Sequence, residues 1–309
     1  MTRPAWIIAP LLLTACSTLP PPTTNVTGPE TVTRVQAPHL TEISGLAASR
    51  RTPHHWWMHN DSGDVPRLYA VDSIGAIRAT VHLEGATARD WEDLASFELN
   101  GIPWLLIADV GDNQSVRNDL KLYLLPEPAI IVDAPHQELR VRSSSVVNLA
   151  FSDGPRDCEG VAVCPQTNEI LLLSKRTEPP VLYTLPLHPH LVPGEHSTQA
   201  ARLIPVSEIL PPTAAERAIP GRLGQHRSQV TAFDINPAGS VAAVLTYGNI
   251  WLYRRAANET WADALGSTPE RIPVRNLPQA EALAFSPDGT ELWLTTEASR
   301  PPLQRYRIR

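Results

Sequence analysis

One six-residue pattern recurs five times along this chain, and it limits the fold more than any other feature. The copies are Glu42-Ile43-Ser44-Gly45-Leu46-Ala47, Asp90-Trp91-Glu92-Asp93-Leu94-Ala95, Asp157-Cys158-Glu159-Gly160-Val161-Ala162, Gln229-Val230-Thr231-Ala232-Phe233-Asp234 and Gln279-Ala280-Glu281-Ala282-Leu283-Ala284. Each begins with alternating polar and apolar positions, continues with small or apolar residues, and leads through a turn into a second apolar run. Repeats roughly 50 to 70 residues apart, built from short strands, predict an all-β chain folded as a β-propeller.

The second strands read as His55 to His59, Trp104 to Asp109, Ile170 to Ser174, Val241 to Thr246 and Leu292 to Thr296. Third strands carry a recurring tyrosine, at Tyr69, Tyr123, Tyr183, Tyr253 and Tyr306, a residue suited to a half-buried pleated surface. Fourth strands are expected at Ile77 to Leu83, Leu139 to Leu149 and Arg202 to Val206. Turn signals such as Pro287-Asp288-Gly289 separate the runs. This layout predicts five blades, with six the alternative because two spacings are long. The last repeat has three strands, so Thr33 to Leu40 is expected to supply the fourth, closing the ring and removing an exposed edge. Residues 207–228, with three prolines and several charges, read as an insertion loop.

The first residues look like an address. Arg3 precedes an apolar stretch, Ala5 to Ala15, too short to span a bilayer as a lone helix. Leu13-Thr14-Ala15-Cys16 resembles a bacterial lipobox, which implies cleavage before Cys16 and lipid attachment to it. The resemblance divides the chain into a signal peptide (1–15), a Pro/Thr-rich spacer (16–32) and a propeller domain (33–309). Ser17 after the cysteine favours the outer membrane, with the domain facing the periplasm.

A formal charge of −6 argues against nucleic acid as a partner and leaves cations or neutral ligands open. Besides Cys16 the chain has only Cys158 and Cys164. On one extended strand they would lie about 20 Å apart, beyond disulfide reach, so both are expected to be free thiols.

In a propeller the first strand of each blade lines the channel, and the second returns to the face where the first began. That face therefore gathers the strand starts Glu42, Ser44, Asp90, Glu92, Asp157, Glu159, Gln229, Thr231, Gln279 and Glu281. It also gathers the loops Asn60-Asp61-Ser62-Gly63 and Gly111-Asp112-Asn113, with Ser174-Lys175-Arg176, Tyr247 and Glu297. Carboxylates crowded at a narrow mouth repel unless a cation or basic side chain sits among them. Oxygen ligands in such number suit Ca²⁺, giving Asp90, Glu92, Asp157, Glu159 and Asp112 as candidate metal ligands. The competing expectation is a structural ring, with the acids bonded to backbone N–H groups or paired with Arg89, Arg156, Lys175 and Arg176. Asn60, Asp61, Asp112, Asn113, Arg117, Glu281 and Glu297 are the candidate ligand-facing residues. His54, His55 and His59 do not read as a metal site, because adjacent strand residues point to opposite faces.

No nucleophile elbow, zinc-protease helix, Walker loop or dinucleotide fingerprint is present in the sequence. The motif Asp157-x-Glu159-Gly160, the acidic strand starts, Asn60-Asp61-Ser62-Gly63 and Gly111-Asp112-Asn113 resemble those of the phytase-like propellers, over roughly residues 40 to 300. That resemblance implies Ca²⁺-dependent hydrolysis of phosphate or other esters, with Lys175 or Arg176 stabilising developing negative charge. The alternative is a lipoprotein that binds a small molecule or envelope protein, without catalysis, on the same face.

Overall fold

The computed structural model describes residues 26–132 and 134–308, so Cys16, the expected leader and most of the expected spacer lie outside the described residues. Strand β1 (Val26–Arg34) is followed by β2 (Ile43–Ala48), β3 (His55–Asn60), β4 (Arg67–Asp72) and β5 (Ile77–Leu83), the last four forming one antiparallel meander. Next come β6 (Trp91–Leu99), β7 (Ile102–Asp109), β8 (Leu120–Pro126), β9 (Gln137–Val141) and β10 (Ser145–Phe151). A third unit is β11 (Cys158–Cys164), β12 (Glu169–Ser174), β13 (Val181–Pro186) and β14 (Gly194–Pro205). The fourth is β15 (Val230–Ile235), β16 (Val241–Thr246), β17 (Asn249–Arg254) and β18 (Glu270–Pro273). The fifth is β19 (Ala280–Phe285), β20 (Glu291–Thr296) and β21 (Pro302–Ile308), completed by β1.

These units are arranged as a β-propeller. The inner strands β2, β6, β11, β15 and β19 adjoin one another in that cyclic order, with β19 returning to β2. Alternate residues of each strand face opposite neighbours. Trp56 packs with Ala282 and Trp293 of the fifth unit, whereas Trp57 packs with Leu105 and Ile107 of the second. Both tryptophans are therefore core residues.

An N-terminal strand closes the ring as expected, but it lies mostly before the expected Thr33 to Leu40, of which only Thr33 and Arg34 pair. Val26 pairs with Ile308 and Arg34 with Pro302, so the closing strand begins seven residues inside the expected spacer. Residues beyond Arg34 leave the sheet, and Val35, Ala37 and Leu40 enter the core instead. Glu30 fixes the pairing through ion pairs with Arg305 (2.7 Å) and Arg307 (3.2 Å).

The expected strand Leu139 to Leu149 is two strands in different sheets. β9 runs parallel to β5 at the edge of the first unit, and β10 returns to pair with β8. β10 also pairs in parallel with β14, tying the second and third units into one eight-stranded sheet. Residues 207–228 are not wholly loop. They contain helices α1 (Ala214–Arg217), held by a Thr213–Glu216 capping box, and α2 (Arg222–Gln225). Cys158 and Cys164 are free and buried, as their spacing predicts.

Candidate functional site

The five inner strands share one irregularity. In each, the ladder slips between the first and third residues: Ile43 and Gly45, Trp91 and Asp93, Cys158 and Gly160, Val230 and Ala232, Ala280 and Ala282. The bypassed residues are Ser44, Glu92, Glu159, Thr231 and Glu281, all buried. A bulge re-aims a side chain that regular pleating would place elsewhere. Here it gathers one polar side chain from every unit at the channel mouth. Thr231 and Ser44 close on their neighbours, donating to Ala280 O (2.8 Å) and Glu92 O (2.7 Å). The three glutamates remain as the acidic centre.

Residues just beyond the second strands complete the wall. The backbone N–H groups of Asp61, Gly111, Lys175 and Glu297 donate to the carbonyls of Glu42, Asp90, Asp157 and Gln279 at 2.8 to 3.2 Å. This bonding brings Asp61, Lys175 and Glu297 beside the glutamates. A cavity of about 180 Å³ results, lined by Ser44, Asp61, Glu92, Asn113, Glu159, Lys175, Arg176, Arg222, Glu281 and Glu297. A Cβ at Gly111 would overlap the Glu92 and Asp90 carboxylates, which would have to shift.

Charge is unevenly shared across the mouth. Asp61, Asp90 and Glu92 offer oxygens within 4.8 Å of one another, and so do Glu92, Asp157 and Glu159. The second group is already neutralised in part, by the Lys175–Glu159 ion pair and by Arg176 on Asp157 at 2.6 Å. Arg176 also donates to Asn113. Among the described residues no ion pair reaches Asp61, Asp90 or Glu92. Burial, followed by the neighbouring Asp61, pushes Asp90 up to about 7. Burial and then the charges of Glu159 and Asp61 hold Glu92 well above the ordinary carboxylate range. Glu297 reaches about 7 through burial and the nearby Glu281. Asp61, Asp90 and Glu92 therefore form an acidic cluster able to hold a cation.

Lys175 is buried among carboxylates. Burial alone would lower its pKa, but Glu159 and Glu281 outweigh that and hold the ammonium well above its usual value. Its Nζ also lies 5.5 Å from the centre of the Tyr247 ring. The Tyr247 hydroxyl donates to Glu281 Oε1 (2.7 Å) and accepts from Arg222 (2.8 Å).

Other candidates serve the framework. Asp112 accepts the Arg117 backbone N–H (2.8 Å), gives its own N–H to Asp157 (2.9 Å), and lies outside both acidic groups. Arg117 is committed to Asp109 (2.8 Å), Asp119 (3.0 Å) and Gly111 O (2.6 Å). Asn60 bonds His39 O (2.7 Å) and Asp64 (2.9 Å). Of the bases expected to neutralise the ring, Lys175 and Arg176 do so, whereas Arg89 pairs with Asp119 (2.6 Å) and Arg156 with Asp153 (3.1 Å). Asp157 also accepts a backbone N–H, that of Asp112 (2.9 Å), as expected of a structural ring. His59 meets Trp91 edge-on (5.3 Å), bonds Asn60 O (2.9 Å), and belongs to neither acidic group.

Arg222 and Asp93 are the residues that sequence reasoning passed over. Arg222 comes from the 207–228 insertion, and its cluster of charges was the available signal. Asp93 is buried beneath the mouth and accepts N–H groups from Leu94 (2.8 Å), Val161 (2.8 Å) and Phe233 (3.1 Å). It was the one acid in the third position of the bulge pattern.

No protein-family model matches the chain, and no curated protein matches it. Solved structures with a similar chain path include a chain of a mitotic checkpoint complex (16% identity, TM-score 0.40), covering 85% of this chain and 60% of that one. The present chain thus spans about three fifths of that match. Hydrazine synthase from Kuenenia stuttgartiensis matches at 10% identity and TM-score 0.45, covering 87% and 96% of the two chains. A gluconolactonase from Xanthomonas campestris matches at 11% identity and TM-score 0.45, covering 86% and 72%. At this similarity none bears on the chemistry of the mouth, which must be read from this chain's own residues.

Proposed function

We propose that this protein is a bacterial envelope lipoprotein whose propeller takes a divalent cation, Ca²⁺, at its channel mouth and binds an anionic small molecule or envelope partner through it. One observation carries the reading: Asp61, Asp90 and Glu92 converge within 4.8 Å, and none is ion-paired among the described residues. Crowded carboxylates of this kind must hold either protons or a cation, and carboxylate oxygens suit Ca²⁺. Arg222 and Arg176 line the same cavity and offer positive charge to an anion bridging the metal. Lipid on Cys16 would hold the domain at the outer membrane, facing the periplasm.

Calorimetric titration with CaCl₂ tests this. One Ca²⁺ per chain is expected, with affinity falling at least about tenfold in Glu92→Gln, a change of roughly 1.4 kcal/mol. Absence of binding at millimolar Ca²⁺ would overturn the cation site.

A second reading, a metal-dependent hydrolase of esters or phosphoesters, draws on the same cavity. Acids for a cation and the bases Lys175 and Arg176 share one space of about 180 Å³, room for a metal-bound water beside a group that stabilises negative charge. Turnover on a panel of esters and phosphoesters, abolished by EDTA and restored by Ca²⁺, would select this reading over simple binding.

A further inference from the structure

The mouth contains two groups of converging carboxylates, and among the described residues only one is ion-paired. Glu92, Asp157 and Glu159 are all buried, with ligand oxygens within 4.8 Å of one another. That spacing resembles the arrangement in the Asp61, Asp90 and Glu92 group, with Glu92 common to both. A cation is nevertheless visible in this second group, and it belongs to the protein. The Lys175 ammonium contacts Glu159, is itself buried, and has the Tyr247 ring 5.5 Å away.

We infer that Lys175 is a specificity-determining residue: its ammonium, ion-paired to Glu159, takes the place of a second divalent cation that the cage of Glu92, Asp157 and Glu159 would otherwise hold, and so limits the mouth to one. This rests on the Ca²⁺ reading above for the first site, but not for the cage itself. The geometry that favours a tethered ammonium over a free metal is the lysine's origin. Its backbone N–H is bonded to Asp157 O at 3.0 Å, so the side chain starts beside the cage and little chain entropy is lost in filling it. A single positive charge among three acids leaves the cage short of neutral, and Arg176 on Asp157 supplies a second. Two metals sharing Glu92 would add a repulsion that an ammonium of half their charge reduces.

Substituting Lys175→Met keeps an unbranched side chain of similar length and removes the charge. Calorimetry with CaCl₂, supported by terbium luminescence titration, should give one cation per native chain and two per Lys175→Met chain. Because uncompensated acids could impair folding, the doubly neutral variant Lys175→Met/Glu159→Gln is measured alongside. It should fold and return to one cation, since the cage has lost a ligand. A Lys175→Met protein that keeps one cation overturns the inference and leaves the native site standing, as does a native protein binding two. No cation in the native chain but one in Lys175→Met overturns the function proposed above and upholds the role of Lys175. No cation in either overturns both. If Lys175→Met fails to fold without metal, it is refolded in millimolar CaCl₂: recovery with two cations per chain supports the inference, and no recovery, or recovery with one, overturns it.

Discussion

Asp93 accepts the backbone N–H of Phe233 at 3.1 Å although the two lie 140 residues apart and on inner strands that are not neighbours in the ring. The same carboxylate oxygen accepts Val161 N–H from the strand between them at 2.8 Å. One side chain therefore fastens three inner strands below the cavity, and burial raises its pKa well above the carboxylate range despite these bonds.

Removing that fastening should be costly. Asp93→Ala leaves buried N–H groups of Val161 and Phe233 without an acceptor, at about 1 to 3 kcal/mol each. A fall in melting temperature of many degrees is expected in calorimetry, with Asp93→Asn milder because it keeps one acceptor oxygen. Equal stability of Asp93→Ala and the native protein would show that the bonds do not tie the strands together.

Stability should depend on pH in a direction opposite to that of a protein held by ionised carboxylates. Burial, followed by like charges, places Asp90 and Glu297 at about 7, and burial places Asp234 at about 6 against opposing N–H bonds from Phe285 and Ile235. The unfolded chain releases these protons near pH 4, so between pH 4 and 7 the folded state holds more protons. The stabilisation is complete below about pH 4 and is lost as pH rises through about 6 to 7. In EDTA the melting temperature should fall between pH 5.5 and 8, and added Ca²⁺ should restore most at the alkaline end. A melting temperature that rises over this range without metal would refute the assignment.

Ring closure makes a separate prediction. Deleting residues before Val35 removes β1, the Glu30 ion pairs with Arg305 and Arg307, and the cover over β21. An uncovered strand edge invites association between molecules. The truncated protein should melt lower and aggregate on light scattering, whereas a start at residue 26 should behave as the full domain.

Membrane attachment has its own test. Cys16→Ala should move the protein from the membrane fraction to the soluble periplasmic fraction. Retention with membranes after that change would exclude Cys16 lipid as the anchor.

Much of this architecture was legible because a propeller writes its period into the chain. Five polar-apolar motifs with a following apolar run located the start of every inner strand to within a residue, and the tyrosines marked the third strands. The face bearing the site was legible for the same reason, since strand direction alone brings Asp61, Lys175 and Glu297 beside the first strands. Closure by an N-terminal strand was legible, but its bounds, Val26–Arg34 and not Thr33 to Leu40, were not, because a polar strand at a sheet edge carries no apolar signature. Nor was the parallel pairing of β10 with β14, which joins two units through backbone bonds that sequence composition does not encode.

Charge pairing divides along the same line. Residue types determined that acids and bases would meet at one mouth. Only tertiary structure decided that Lys175 and Arg176 neutralise Glu159 and Asp157 while Asp61, Asp90 and Glu92 remain together with no ion pair among the described residues. The five bulges turn one polar side chain per unit into the channel, and the backbone bonds beyond the second strands bring Asp61 and Lys175 beside them. Such a bulge depends on how neighbouring units pack around the axis, a relation between distant strands that no single stretch of sequence contains.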